Sequence, residues 1–157
     1  MTQPTTEEIR EFLQVKLPED WFAAPPEIQS DDDEILCIGT LSEDATVEGF
    51  RETTRQQRIE IAQQAEERFR RTLSWGVVRD GATTLFTTQA VPVMTRLRLP
   101  ERAVLQTLID GNVARSKSEA LAWCVQLVAR HQSDWLAELR EAVSGVEQVR
   151  VGGPALI

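Results

Sequence analysis

The most specific pattern in this 157-residue sequence is Val93-Met94-Thr95-Arg96-Leu97-Arg98-Leu99. Successive side chains of a β-strand point to opposite faces of the sheet. The odd-numbered positions would therefore share a face of three apolar residues and one threonine. The even-numbered positions would place Met94, Arg96 and Arg98 on the other face. The alternation predicts a strand with one apolar face and one largely basic face.

Two short helices are predicted directly after this strand. Pro100 ends the strand and suits the first turn of a helix that runs to Asp110, where a Gly-Asn pair would stop it. Ser116 stands three residues before Glu119, which is the spacing of a capping box. A second helix is therefore predicted from Ser116 to about Arg130. The order is strand, helix, turn and capped helix.

This order resembles the ribbon-helix-helix family of the MetJ and Arc class. The resemblance covers about residues 92–131 and rests on two motifs, Arg96-Leu97-Arg98-Leu99-Pro100-Glu101 and Ala114-Arg115-Ser116-Lys117-Ser118-Glu119-Ala120-Leu121. It implies a homodimer whose two strands pair as an antiparallel ribbon that enters the major groove of DNA. A lone two-stranded ribbon is marginal in water, which is the physical reason for a dimer. The sequence departs from the family in two ways: a long segment precedes the strand, and Met94 stands where a polar residue is common.

The resemblance also implies a role for each group of residues. The base-contacting residues would be Met94, Arg96 and Arg98, because arginine binds guanine with two hydrogen bonds and methionine gives apolar contact. A DNA phosphate would lie at the start of the second helix, where backbone N–H groups and the helix dipole favour an anion. The phosphate-contacting residues would be Arg115, Ser116, Lys117 and Ser118. The dimer core would contain Val93, Leu97, Leu99, Leu121 and Val125.

Residues 1–90 predict an acidic α+β unit with the element order α-β-α-β-β. Thr5 or Thr6 would cap a first helix. The apolar run 34–41 predicts a buried strand, and a helical pattern follows over residues 46–73. Asp80-Gly81 predicts a hairpin turn between two strands, residues 74–79 and 82–88.

The long helical pattern contains three arginines at helical spacing, Arg51, Arg55 and Arg58. We interpret them as part of a solvated helix face, because a charge run on a helix usually faces water.

Residues 132–157 predict a third helix over 132–144 and then a loose tail at Gly152-Gly153-Pro154. Trp135, Leu139 and Val143 recur at four-residue spacing on this helix. The stripe predicts either packing within the dimer or N-terminal unit, or a surface for a protein partner. An antitoxin that neutralises a toxin through a segment after its ribbon-helix-helix unit would be an example of the second kind.

Charge is unevenly distributed along the chain, whose total is −8. Residues 1–90 carry 9 basic and 18 acidic side chains, whereas residues 91–131 carry 6 basic and 3 acidic ones. Residues 132–157 carry 2 basic and 4 acidic side chains. A short basic segment inside an acidic protein indicates a local anion-binding surface.

The sequence offers little for catalysis or metal binding. It has a single histidine, His131, and two cysteines far apart, Cys37 and Cys124, which cannot form a metal knuckle. No glycine-rich phosphate loop is present. We therefore expect no enzyme, no metal and no cofactor. The N-terminus has no signal-peptide pattern and no stretch is apolar enough to cross a bilayer, so we expect a cytoplasmic protein.

Three hypotheses remain for the function. The first is a homodimeric DNA-binding protein that acts as a transcriptional regulator, with a possible protein partner bound through residues 1–90 or 133–144. The second is an antitoxin of a toxin–antitoxin pair. The third is an adaptor that does not bind DNA, in which the motif serves only for dimerisation and its arginines form salt bridges.

Overall fold

The structure, a computed structural model, describes residues 3–154 as a mixed α/β protein. Within that range it has six helices and a four-stranded sheet. The chain divides into two compact units, Met1–Val93 and Met94–Ile157, which we call unit 1 and unit 2.

Unit 1 contains all four strands. Its elements are α1 (Thr6–Lys16), β1 (Glu27–Ser30), β2 (Glu34–Thr40), α2 (Val47–Thr53), α3 (Arg55–Phe69), β3 (Thr72–Arg79) and β4 (Ala82–Leu85). The strand order is β1-β2-β3-β4. The central pair β2 and β3 is parallel, and both outer pairs are antiparallel.

Local sequence signals place the first helix and the hairpin as predicted. Thr5 caps α1: its hydroxyl accepts the Glu8 N–H at 3.2 Å, and the Glu8 carboxylate accepts the Thr5 N–H at 2.7 Å. Asp80 and Gly81 both have positive φ, 52° and 76°, as a two-residue hairpin turn requires. The return strand β4 is shorter than predicted because it ends at Leu85.

The predicted order α-β-α-β-β omitted β1, which pairs with β2. This strand has four residues, of which only Ile28 is buried, so it lacks the alternation that would reveal it. Three consecutive aspartates, residues 31–33, form the turn between these strands. The Asp31 carboxylate accepts the N–H groups of Asp33 and Glu34 at 2.9 and 2.8 Å, and these bonds hold the pKa of Asp31 below its ordinary value.

The core of unit 1 lies between the two central strands and the helices α1 and α3. Its buried side chains from these elements are Ile9, Phe12, Leu13, Ile35, Cys37, Ile61, Ala65, Phe69, Leu73, Trp75 and Val77. Gly39 on β2 is required for close packing, because a Cβ there would lie 2.2 Å from the Phe22 ring. Burial of Cys37, expected from its apolar run, is confirmed.

The helical pattern at 46–73 forms two helices instead of one. The helix is interrupted at Thr54, whose hydroxyl donates to the Phe50 carbonyl at 2.6 Å. Arg70, the C-cap residue that follows α3, has a left-handed backbone conformation. The prediction of a solvated arginine face is wrong for Arg58. Arg51 and Arg55 are exposed, but Arg58 is buried, because Phe86 lies against its guanidinium group.

Unit 2 is helical in the described range and consists of α4 (Leu99–Asp110), α5 (Lys117–His131) and α6 (Ser133–Val151). The two helices predicted after Pro100 are confirmed, and the third helix is longer than predicted. The strand predicted over Val93–Leu99 is not formed. Residues 91–98 have no regular structure, because none of the four strands pairs with this stretch. Leu99 already belongs to α4.

No helix in residues 3–154 is long and apolar enough to span a membrane.

Candidate nucleic-acid interface

The segment that enters α4 is anchored at its C-terminal end. Arg98 is the N-cap residue, with φ −84° and ψ 171°, and Pro100 occupies the first turn. The Arg102 guanidinium donates to the Leu97 carbonyl at 2.7 Å, and the Arg102 N–H donates to the Arg98 carbonyl at 3.0 Å. Arg102 therefore fixes the backbone beside the predicted base-contacting residues. Sequence reasoning missed it, and its only signal was a position four residues after Arg98.

The side chains of this segment differ sharply in exposure. Leu97 is half-buried and packs against the unit 2 core. Arg96 and Arg98 on either side of it are exposed, and Met94 is 96% exposed. Of the predicted apolar face, therefore, only Leu97 is partly covered, and Val93, Thr95 and Leu99 are exposed.

The basic side chains of this region are not neutralised within the chain. Among the residues that the structure describes, no carboxylate lies within 4.0 Å of the charged groups of Arg96, Arg98, Arg115 or Lys117. Their charges are therefore available to an anion outside the chain.

The start of α5 is built by a side-chain cap. The Ser116 hydroxyl accepts the Glu119 N–H at 3.1 Å, so Ser116 is the N-cap as predicted. The Glu119 carboxylate reaches back to the Arg115 N–H at 3.0 Å, one residue before the position in a standard capping box. Arg115, Lys117 and Ser118 are exposed around this helix end.

The unit 2 core is small. In the described range its buried apolar side chains are Leu105, Ala114 and Ala120, with Leu97, Leu108, Ile109, Leu121 and Cys124 packed against them at partial burial. Of the predicted dimer core, only Leu97 and Leu121 are partly covered. The other three, Val93, Leu99 and Val125, are 85%, 68% and 63% exposed.

The structure brings the predicted base-contacting and phosphate-contacting residues into the same unit, because all of them lie in Met94–Ile157. His131, the last residue of α5, is exposed. Within residues 3–154, no three histidine, cysteine, aspartate or glutamate side chains are grouped so that they could hold a metal ion.

Comparison with known proteins gives matches over both units. Residues 7–85 match the family described as Rv1265-like protein, N-terminal domain, and residues 98–150 match the Mb1296 C-terminal domain. Neither description mentions a ribbon-helix-helix unit. No solved structure gives a significant match.

The full-length relatives come from mycobacteria. The chain is 47% identical, over 166 aligned positions, to uncharacterized protein Mb1296 of Mycobacterium bovis and to uncharacterized protein Rv1265 of Mycobacterium tuberculosis. Each alignment covers 98% of this chain and 74% of the relative. With this identity over nearly its whole length, the chain belongs to the Rv1265-like family.

Proposed function

We propose that this protein binds DNA as a homodimer and acts as a transcriptional regulator. Residues 93–98 of two chains, the stretch before α4, would pair as an antiparallel ribbon in the major groove. Arg96 and Arg98 would contact base edges, and the start of α5 would contact phosphates.

The observation that carries this proposal is the exposure of the arginine side chains in residues 94–98 and their lack of ion pairs. Arg96 and Arg98 are exposed and have no carboxylate partner in the described range, while Leu97 between them packs inward. The backbone groups of residues 94–96 form no hydrogen bond within the described part of the chain, and a second copy of the same stretch would pair with them as an antiparallel ladder. The ribbon would then present both arginines twice.

Exposed apolar side chains in unit 2 support the dimer. A soluble monomer seldom leaves so many of them uncovered. Those at or beyond Leu99 with at least two-fifths of their surface exposed are Leu99, Val104, Val113, Val125, Val128, Trp135, Leu139, Val143, Val146, Val149 and Val151. Pairing of two chains would cover part of this surface.

The start of α5 supports phosphate binding. The first N–H groups of a helix have no intrahelical acceptor and carry the positive end of the helix dipole. Lys117 and Ser118 in the first turn and Arg115 just before the cap add exposed donors there. A phosphate at this position would set the register of the dimer on DNA without reading its sequence.

The experiment is a selection of bound sequences from random DNA by the full-length protein, with its mass measured by sedimentation. We expect a dimer and a two-fold symmetric site. Arg96→Ala and Arg98→Ala should each lose about 1–3 kcal/mol of discrimination between the selected site and random DNA.

A matched control is Arg140→Ala on α6, which removes the same charge outside the proposed interface and should leave the selection unchanged. Lys117→Ala should weaken binding to all sequences about equally and reduce the dependence on salt. Unchanged affinity of Arg98→Ala for the selected site, or a folded monomer at micromolar concentration, would contradict the proposal.

The antitoxin alternative is favoured by the exposed apolar stripe of α6, which a partner protein would cover in place of a second copy of the chain. Trp135, Leu139 and Val143 of the predicted stripe are all about half exposed, and the helix has no buried residue in its described length. Such a helix can lie in an apolar groove of a partner protein. Co-expression with the product of the adjacent gene tests this: a complex that Leu139→Asp dissolves, with the dimer intact, would favour the antitoxin.

A further inference from the structure

Two arginines of unit 1 share one aromatic ring. Phe86 directly follows β4 and is buried, and its N–H donates to the Trp75 carbonyl at 2.8 Å. The guanidinium carbon of Arg58 lies 4.9 Å from the Phe86 ring centroid, and that of Arg51 lies 5.3 Å from it. The sheet therefore presents an aromatic surface to which helices α2 and α3 bring positive charge.

Arg58 is held in place by neutral acceptors. Only 8% of its surface is exposed, and its Nε and Nη2 donate to the Thr54 hydroxyl at 3.0 Å and the Arg51 carbonyl at 2.7 Å. Burial, together with the charges of Arg51 and Arg55, lowers the pKa of Arg58. A guanidinium has five N–H donors, so these two bonds leave others for a ligand.

No ion pair in the described range neutralises these arginines directly. In residues 3–154, no carboxylate lies within 4.0 Å of the Arg51, Arg55 or Arg58 guanidinium. The first turn of α3 has no acidic residue and begins with Arg55. Positive side chains at the positive end of a helix dipole repel it. This arrangement is one that a bound anion would stabilise.

A cleft of about 600 Å³ opens at the same place. Its walls combine the three arginines with apolar surface from Ile59 and Phe86 and with Thr87. This size is typical of sites for small molecules, which pair apolar walls with a few polar groups. Planar guanidinium groups bind carboxylate and phosphate oxygens with paired hydrogen bonds.

We propose that Arg51, Arg55, Arg58 and Phe86 form a binding site for a small organic oxyanion, a carboxylate or phosphate carried on an apolar body. The oxyanion lies against the guanidinium groups, and the body lies on Ile59 and on the small part of Phe86 that lines the cleft. Glu48 and Glu52 also line the cleft and disfavour highly charged ligands. The site lies wholly in unit 1, so it does not depend on DNA binding by unit 2.

The experiment is an NMR titration of the ¹⁵N-labelled full-length protein with four probes: phenyl phosphate, benzoate, inorganic phosphate and benzyl alcohol. We expect saturable shifts at residues 51–59 and 86–87 with at least one of the two aromatic anions. Inorganic phosphate should bind more weakly, since it lacks an apolar body, and uncharged benzyl alcohol should not saturate. The stronger of the two aromatic anions distinguishes a phosphate site from a carboxylate site.

Matched variants separate this site from a general charge effect. Arg51→Ala and Arg55→Ala each remove an exposed arginine. Each should weaken binding of the preferred anion about tenfold or more, as expected for loss of a charged hydrogen bond. Arg68 lies on the same helix as Arg55 but outside the cleft, so the Arg68→Ala variant should bind the preferred anion as tightly as the unmodified protein does. Glu52→Gln should bind more tightly, because it removes a like charge.

Three results would overturn the proposal. One is the absence of saturable shifts with both aromatic anions through the millimolar range. Another is equal binding by Arg51→Ala, Arg55→Ala and Arg68→Ala. The third is binding of benzyl alcohol as strong as that of the anions. Each can be read whether or not the protein binds DNA.

Discussion

Unit 1 and unit 2 differ in how much of their apolar surface they bury by themselves. In unit 1 the sheet and the helices enclose a continuous core in which Trp21 contacts the rings of Phe50 and Trp75 at 5.5 and 5.9 Å. In the described part of unit 2, the buried core is limited to Leu105, Ala114 and Ala120. Stability follows buried apolar area, so unit 1 should fold by itself and unit 2 should depend on a partner.

The difference arises from the kind of structure that each sequence specifies. A sheet gathers residues from distant positions, and β2 and β3 of unit 1 are covered on both faces in part. Three helices joined by short turns cover one another less, and each α helix of unit 2 keeps an exposed apolar side.

Trp75→Ala should destabilise unit 1 by about 3–5 kcal/mol, because it removes a large buried ring from a close-packed core. Urea unfolding followed by residue-resolved hydrogen exchange measures each unit separately. Trp135→Ala, which removes an exposed ring on α6, should leave the stability of unit 1 unchanged. An equal loss of protection against hydrogen exchange in both units of Trp75→Ala would show that the two units unfold together, and would contradict independent folding of unit 1.

Leu105→Ala should destabilise unit 2 by about 2–5 kcal/mol, since Leu105 is the largest buried side chain of its small core. In the unmodified protein, the unfolding midpoint of unit 2 should also rise with protein concentration, as it does when association stabilises the folded state. The midpoint of unit 1 should not change. Val104→Ala, at the exposed neighbouring position, is the comparison for Leu105→Ala and should cost less.

A midpoint of unit 2 that is independent of concentration would contradict its dependence on a second chain. A cost at Val104 as large as at Leu105 would assign Val104 to a covered surface and would strengthen the case for the dimer.

The parts of the fold that could be predicted depend on neighbouring residues. Thr5 with Glu8, Asp80 with Gly81, and Ser116 with Glu119 each form their contacts within one turn, so the sequence order reveals them. The break at Thr54 could not be predicted in this way, because helical spacing continues through it. Burial of Arg58 depends on Phe86, which lies on another element.

In the candidate site, too, contacts with neighbouring residues could be predicted and contacts with a more distant partner could not. The alternation at 93–99 identifies which side chains would share a face, and Leu97 does pack inward. Pairing of that stretch requires a second strand, and the strands within residues 3–154 all lie in unit 1. DNA binding therefore stays a prediction that depends on a second copy. The anchoring of the Leu97 carbonyl by Arg102 could not be read from the pattern, since it depends on a long side chain folding back.

Unit 1 should lose stability at alkaline pH because of Cys37. Burial raises the pKa of its thiol from 9.0 to about 12, so the folded state keeps the proton that the unfolded state releases. The stabilisation is complete below about pH 9 and falls by about 1.4 kcal/mol per pH unit above it, until the pKa of the folded state is reached. The sequence has no tyrosine and two lysines, so few other groups titrate there.

The measurement is the urea midpoint of unit 1 between about pH 8 and pH 11. Cys37→Ala should lose most of this dependence, and Cys124→Ala in unit 2 should keep it. If the urea midpoint fell equally with pH in all three proteins, the loss of stability at alkaline pH would come from groups other than Cys37.

The side-chain caps of α1 in unit 1 and α5 in unit 2 allow the smallest and sharpest comparison. Thr5→Ala in unit 1 and Ser116→Ala in unit 2 each remove one hydroxyl that accepts a helix N–H, at 3.2 and 3.1 Å. Each should cost about 1 kcal/mol, and each in its own unit. Only Ser116→Ala should also weaken DNA binding, because a phosphate is expected at the start of α5. Thermal unfolding and binding to random DNA measure the two effects.

Ser116→Asp separates capping from phosphate binding at this position. Aspartate caps a helix about as well as serine does, and its charge suits the positive end of the helix dipole, so unit 2 should keep its stability. The same charge would repel a DNA phosphate, so affinity for all DNA sequences should fall together, most at low salt, where charges are least screened. Thr5→Asp provides the control for an added negative charge elsewhere. If Ser116→Asp bound DNA as tightly as the unmodified protein did, the α5 N-terminus would not be a phosphate site, and the basic segment would contact DNA through residues 94–98 alone.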